Sequence, residues 1–139
     1  MTQPPDDRAK DEAHASDKHS AKTLTVRLSE LQAPLPNSFA LSGWLEPVRS
    51  VFAPDFYGEC STCTAFWSAL LGNVDGAIRF CELTLPGWYW RVGRSSLYPG
   101  WASVNRVHPD HCSPRDEAFS EGASPSIALL AAALKAGQS

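Results

Sequence analysis

The sequence predicts an α+β fold in which a small antiparallel sheet lies between two helices. Three observations carry this. Val74, Ala77, Ile78, Cys81 and Leu85 fall at helical spacing and make one apolar stripe. Trp88–Gly93 and Trp101–Val107 alternate as strands do, with a polar turn between them. Ser124-Pro125 then opens an alanine-rich helix, serine as N-cap and proline at the first helical position. The expected architecture is a hairpin, 88–93/101–107, with residues 23–28 as a candidate third strand, sandwiched between helices 74–85 and 125–136.

In chain order, residues 1–21 hold charged side chains of both signs and no aliphatic residue except Met1 and alanines. Such a segment cannot bury enough apolar area to offset its ordering entropy, so a disordered tail is expected, with residues 22–139 forming one α/β domain. Leu24, Val26 and Leu28 alternate with Thr23, Thr25 and Arg27, the pattern of a strand. Leu41, Trp44, Leu45 and Val48 have helical spacing, but Pro47 lies within it, so only a short helix near Trp44–Phe52 is expected. Thr62 or Thr64 can cap a helix over Ala65–Leu71, with Gly72 ending it. Asn73 is placed to cap the next helix.

Pro86-Gly87 is the corner where helix turns into strand. Proline cannot continue the helix, and glycine takes the left-handed conformation such corners use. Residues 108–122 carry two prolines and five charged side chains and read as loop, with Phe119 as an apolar anchor. The last helix is apolar on every face, from Ile127 to Leu134, so it must be covered on more than one side. Residues 40–71 are the expected cap over it, which leaves the hairpin exposed.

Composition narrows the classes. A net charge of −3 argues against a protein that binds nucleic acid through overall charge, though not against a local basic patch. The longest apolar run spans eight residues, 127–134, far short of the roughly 18 that a membrane helix needs. The N-terminal segment is polar and lacks the apolar core of a secretory signal, so a cytoplasmic location is expected. Four cysteines in that setting are thiols or metal ligands before they are disulfides.

The helix 73–78 (Asn-Val-Asp-Gly-Ala-Ile), the run Leu85-Pro86-Gly87-Trp88-Tyr89-Trp90-Arg91-Val92-Gly93, a second strand, and the helix from Ser124 to Ala136 stand in a telling order. That order resembles the phage ABA sandwich domain, a small module of phage and prophage-derived bacterial proteins. The resemblance covers about residues 72–137. It implies a helix–sheet–helix architecture and a non-catalytic interaction module of phage or prophage origin; it brings no catalytic residue with it. The partner would be a protein of unknown identity, and the chain a monomer or a homodimer.

Two candidate sites stand out. Cys60-Ser-Thr-Cys63 has the spacing that lets two thiolates grip one zinc, and His108, His111 and Cys112 offer further ligands. About 45 residues separate the halves, more than the roughly 20 usual in zinc ribbons and fingers. The alternative is a pair of loop thiols, solvated histidines and a buried Cys81. A redox role for Cys60 and Cys63 lacks a βαβ context. The second site is aromatic and basic. Trp88, Trp90, Arg91, Arg94, Trp101 and Arg106 lie in a stretch, 83–109, with no acidic residue. Arginine interleaved with aromatics on a sheet can stack bases and neutralise phosphate. The alternative is that Trp88 and Trp90 fill the core. A nucleic-acid-binding or zinc-stabilised regulatory module is therefore the second functional reading. No phosphate loop, nucleophile elbow, dinucleotide fingerprint or zinc-protease motif is present, so enzymatic activity is not expected.

Overall fold

Asn73 caps a helix as its position predicts: its Oδ1 accepts from the Asp75 N–H at 3.0 Å. This is one of several local features that a computed structural model bears out; the structure describes residues 22–53, 60–106 and 117–137. The expected tail, residues 1–21, lies outside them. The elements are α1 (22–30), a 3-10 turn at Ser38–Leu41, α2 (Ser42–Phe52), α3 (Ser61–Leu70), α4 (Val74–Thr84), β1 (Tyr89–Gly93), β2 (Gly100–Asn105), β3 (Glu117–Gly122) and α5 (Pro125–Gly137). The fold is α+β, with one antiparallel sheet in the order β1-β2-β3.

Residues 23–28 are not a strand; they belong to α1. Leu24 and Leu28 are buried, one helical turn apart, while Val26 is 49% exposed. Leu24 and Leu28, four apart, fit either period; burial of this pair in the core with Val26 turned outward is the helical one. The third strand is instead β3, in the stretch that reads as loop. Its inward residues are Ala118 and Ser120, and its outward ones Glu117, Phe119 and Glu121. The usual pattern of large apolar residues inside is thus inverted. Small residues face in because α5 runs close against the strand, and Phe119 is no anchor, being 46% exposed.

The layering also differs from a sheet flanked by helices 74–85 and 125–136. The sheet packs on α5, and the far side of α5 packs on α4 and α3. Every residue from Ser126 to Leu134 is buried as a result. Ser124 caps α5, its Oγ accepting from the Ile127 N–H at 3.3 Å. Ser126 Oγ donates to the Ala69 carbonyl at 2.8 Å, tying α5 to α3. Phe66 of α3 and Phe80 of α4 meet edge to face, ring centroids 5.3 Å apart, and Phe52 of α2 packs against both. Phe80, absent from the apolar stripe read in the sequence, is one of the most buried side chains. Arg27 of α1 lies over the Trp44 ring of α2 at 4.1 Å. Pro47 stays inside α2, where Trp44 and Val48, one turn apart and both buried, hold the helix despite the missing donor.

Gly87 has φ +83°, so the Pro86-Gly87 corner uses the left-handed conformation. Gly76 serves differently. A Cβ there would lie 2.6 Å from Ser68 Oγ, 2.7 Å from Ser68 Cβ and 3.0 Å from the Ala69 nitrogen, because α3 and α4 touch at this point. Helix propensity favours alanine over glycine by about 1 kcal/mol. Packing reverses the sign: Gly76→Ala is expected to destabilise by about 1–3 kcal/mol, the usual range for overpacking. Urea unfolding followed by circular dichroism measures it, and a stabilised variant would mean that α3 and α4 are further apart.

Candidate functional site

The sheet has two faces of different character. A Cβ at Gly100 would strike the Ser124 carbonyl group, and one at Gly122 would crowd Ala128, so these glycines face α5. The pairing places Ala102, Val104, Trp90, Val92, Ala118 and Ser120 on that same inner face. The outer face carries Tyr89 and Arg91 of β1, Trp101, Ser103 and Asn105 of β2, and the outward residues of β3. Helix α5 packs on the sheet from the inner side, and Thr25 and Ser29 of α1 border β3 near Phe119 and Glu121.

The six aromatic and basic candidates therefore do not share one surface. Trp90 falls on the inner side of the register at the sheet edge, where it is exposed, and Trp88, just before β1, is half-buried. Arg106 crosses back over Trp88, its guanidinium carbon 5.6 Å from the ring centroid. Arg91 and Trp101 lie on the outer face. Trp101 rests over Gly93, where a Cβ would come within 3.0 Å of its ring. Arg94 is exposed just beyond β1. Strand alternation separates neighbours in sequence, which is why Trp88-Tyr89-Trp90-Arg91 cannot act as a single patch.

Tyr89, from the same aromatic stretch, is 43% exposed on the outer face, and what the structure adds to it is Phe119. It also adds charge of the opposite sign. Arg91 projects from β1, while Glu117 and Glu121 project from β3, so the absence of acids in residues 83–109 does not describe the assembled face. Asn105 is buried on the same face of the central strand, and its Oδ1 has no hydrogen-bond partner among the described residues. Nothing short of recognising β3 could have added Phe119.

Of the metal candidates, Cys60 and Cys63 are described, while His108, His111 and Cys112 lie outside the described residues. Among the described residues no three His, Cys, Asp or Glu side chains gather closely enough to hold an ion. Cys60 caps α3, two residues before Thr62 and four before Thr64, the threonines expected there, its Sγ accepting from the Cys63 N–H at 3.5 Å. Partial burial raises the Cys60 thiol. Hydrogen bonds from Cys63 and Thr62 and the charge of Arg49 outweigh that and hold it below the ordinary thiol value. Burial, together with Cys60, pushes Cys63 up to about 12. Cys81 is buried in α4, as its place in the apolar stripe implies, and burial with the nearby Glu82 raises it to about 11.

No family model, curated protein or solved structure matches the chain. The fold and the site define the chain as an α+β module whose three-stranded sheet packs on α5 through its inner face. None of the described helices is long and apolar enough to cross a membrane.

Proposed function

We propose that this chain is a small interaction module that presents the outer face of its sheet to a protein partner. The observation that carries the reading is that face itself: Tyr89 of β1 and Phe119 of β3 are exposed on either side of the buried Ser103 and Asn105 of the central strand. Rigid aromatics on a flat surface are the usual anchors of protein interfaces. The mixed charge, Arg91 against Glu117 and Glu121, suits a protein surface better than a uniformly anionic phosphate backbone. The similarity of residues 72–137 to the phage ABA sandwich domain supports a prophage origin for the module and, with it, a cytoplasmic setting. A monomer fits best, since α5, the one helix apolar all round, is covered within the chain.

Selection from a random peptide library against the immobilised protein tests the reading. Wild type is expected to enrich peptides whose binding falls at least about tenfold in a Tyr89→Ser/Phe119→Ser double variant, the loss typical of two interface anchors. Failure to enrich any peptide, or enrichment that survives the double substitution, overturns it. Tight, steeply salt-dependent binding of a fluorescent oligothymidylate would favour the nucleic-acid reading instead.

A further inference from the structure

We infer that Cys60 and Cys63 form a redox-active dithiol that exchanges with disulfides of thiol-bearing small molecules or peptides. This rests on geometry separate from the sheet face. The missing βαβ context matters less than what the structure supplies: an extended residue, Cys60, leading directly into the first turn of α3. Cysteines three apart at a helix start have Cβ atoms about 5–6 Å apart, close enough for a disulfide after a small adjustment. Both are free thiols.

The two are unequal in the way exchange requires. Cys60 is partly exposed and is the group that a bulky disulfide can reach. Cys63 is fully buried one turn in, behind it. The helix N-terminus, with its aligned N–H groups, favours negative charge on the Cys60 sulfur. The Cys63 N–H points at that sulfur, and the Cys63 thiol is hydrogen-bonded to it. Arg49 of α2 adds a positive charge near both sulfurs. On the adjoining side an open groove of about 440 Å³ runs between α3 and α4, its lining including Ser61, Thr64, Ala65, Ser68, Asp75 and Arg79. It begins at the residue after Cys60 and gives a substrate's backbone or carboxylate somewhere to lie.

The exchange is a two-electron transfer from protein to substrate. The Cys60 thiolate attacks one sulfur of the substrate disulfide R–S–S–R; a Cys60–S–S–R bond forms and one RS⁻ leaves, taking a proton from solvent. Cys63 then loses its proton to solvent and attacks Cys60 Sγ. The Cys60–Cys63 bond forms and the second RS⁻ leaves and is protonated. One disulfide has been reduced to two thiols, and the protein dithiol has been oxidised to a disulfide.

Oxidised glutathione is the probe. The reduced full chain is incubated with it, quenched with iodoacetamide and mapped by mass spectrometry. The expected product is an intrachain Cys60–Cys63 disulfide, with Cys60 reacting at least about tenfold faster than the buried Cys81. Cys63→Ser should stop at a mixed disulfide on Cys60. Cys63→Ala, which keeps the buried position apolar, serves the same purpose should serine unfold the chain. Cys60→Ser should leave Cys63 unreacted in the folded protein. A disulfide joining Cys60 to Cys81 or Cys112, equal reactivity of all thiols, or a zinc ion that must be stripped before either thiol reacts would overturn the inference. None of these outcomes depends on peptide binding at the sheet face.

Discussion

Leu129→Glu abolishes the folded state of the isolated chain. Leu129 is 0% exposed and sits at the middle of α5, which has the sheet on one side and α3 and α4 on the other. The substitution removes a buried leucyl side chain, a loss of about 2–5 kcal/mol when such a residue is cut to alanine. It also places a carboxylate in the buried core, and an unpaired buried charge costs about 3–5 kcal/mol. Against a total stability of about 5–15 kcal/mol for a domain, the sum leaves little or nothing folded. Circular dichroism and urea unfolding show this directly. A well-folded monomeric Leu129→Glu protein, set beside a wild-type dimer in light scattering, would instead make α5 a subunit interface.

Gly100→Ala is expected to be the most damaging single methyl group at any of the described glycines. A Cβ at Gly100 would lie 2.2 Å from both the carbon and the oxygen of the Ser124 carbonyl and 2.6 Å from the Pro125 nitrogen. These are backbone atoms at the capped start of α5, so no side chain can swing aside. Either β2 separates from the helix start or the Ser124 cap opens, and both disturb the core. The cost should reach or exceed the upper end of the about 1–3 kcal/mol usual for overpacking. Gly137→Ala is the control, because nothing lies within 4 Å of its Cβ position. An unfolding midpoint for Gly100→Ala equal to that of Gly137→Ala would show that the sheet and α5 do not meet as closely as described.

Both predictions concern α5, and α5 is where the sequence is most readable. The serine cap, the proline at the first helical position and an apolar composition on every side are local facts, and the structure repeats each of them. The same holds for the Asn73 cap and the Pro86-Gly87 corner. Interactions that close within four or five residues need no knowledge of distant chain.

The candidate sites were legible only in part. Cys60-Ser-Thr-Cys63 was visible as a motif, but its role as the cap of α3 depends on where that helix begins, and the competing threonines at 62 and 64 gave no means of choosing. Trp101 and Arg91 were visible as an aromatic and a basic residue, yet the face they share with Phe119 exists only once β3 is paired to β2.

The sequence by itself determined the α+β class, the hairpin, the helices expected at 74–85 and 125–136, and their local caps. Tertiary structure alone decided that Leu24 and Leu28 belong to a helix, that Glu117–Gly122 is the third strand, and that α5 lies between the sheet and α4. The reason is physical in each case. Leu24 and Leu28 satisfy two periods equally, and the alternation with Val26 points to a strand until packing buries the pair and leaves Val26 outside. β3 carries small residues inward because α5 leaves no room for large ones. Phe80 turns into the core because Phe52 and Phe66 meet it there.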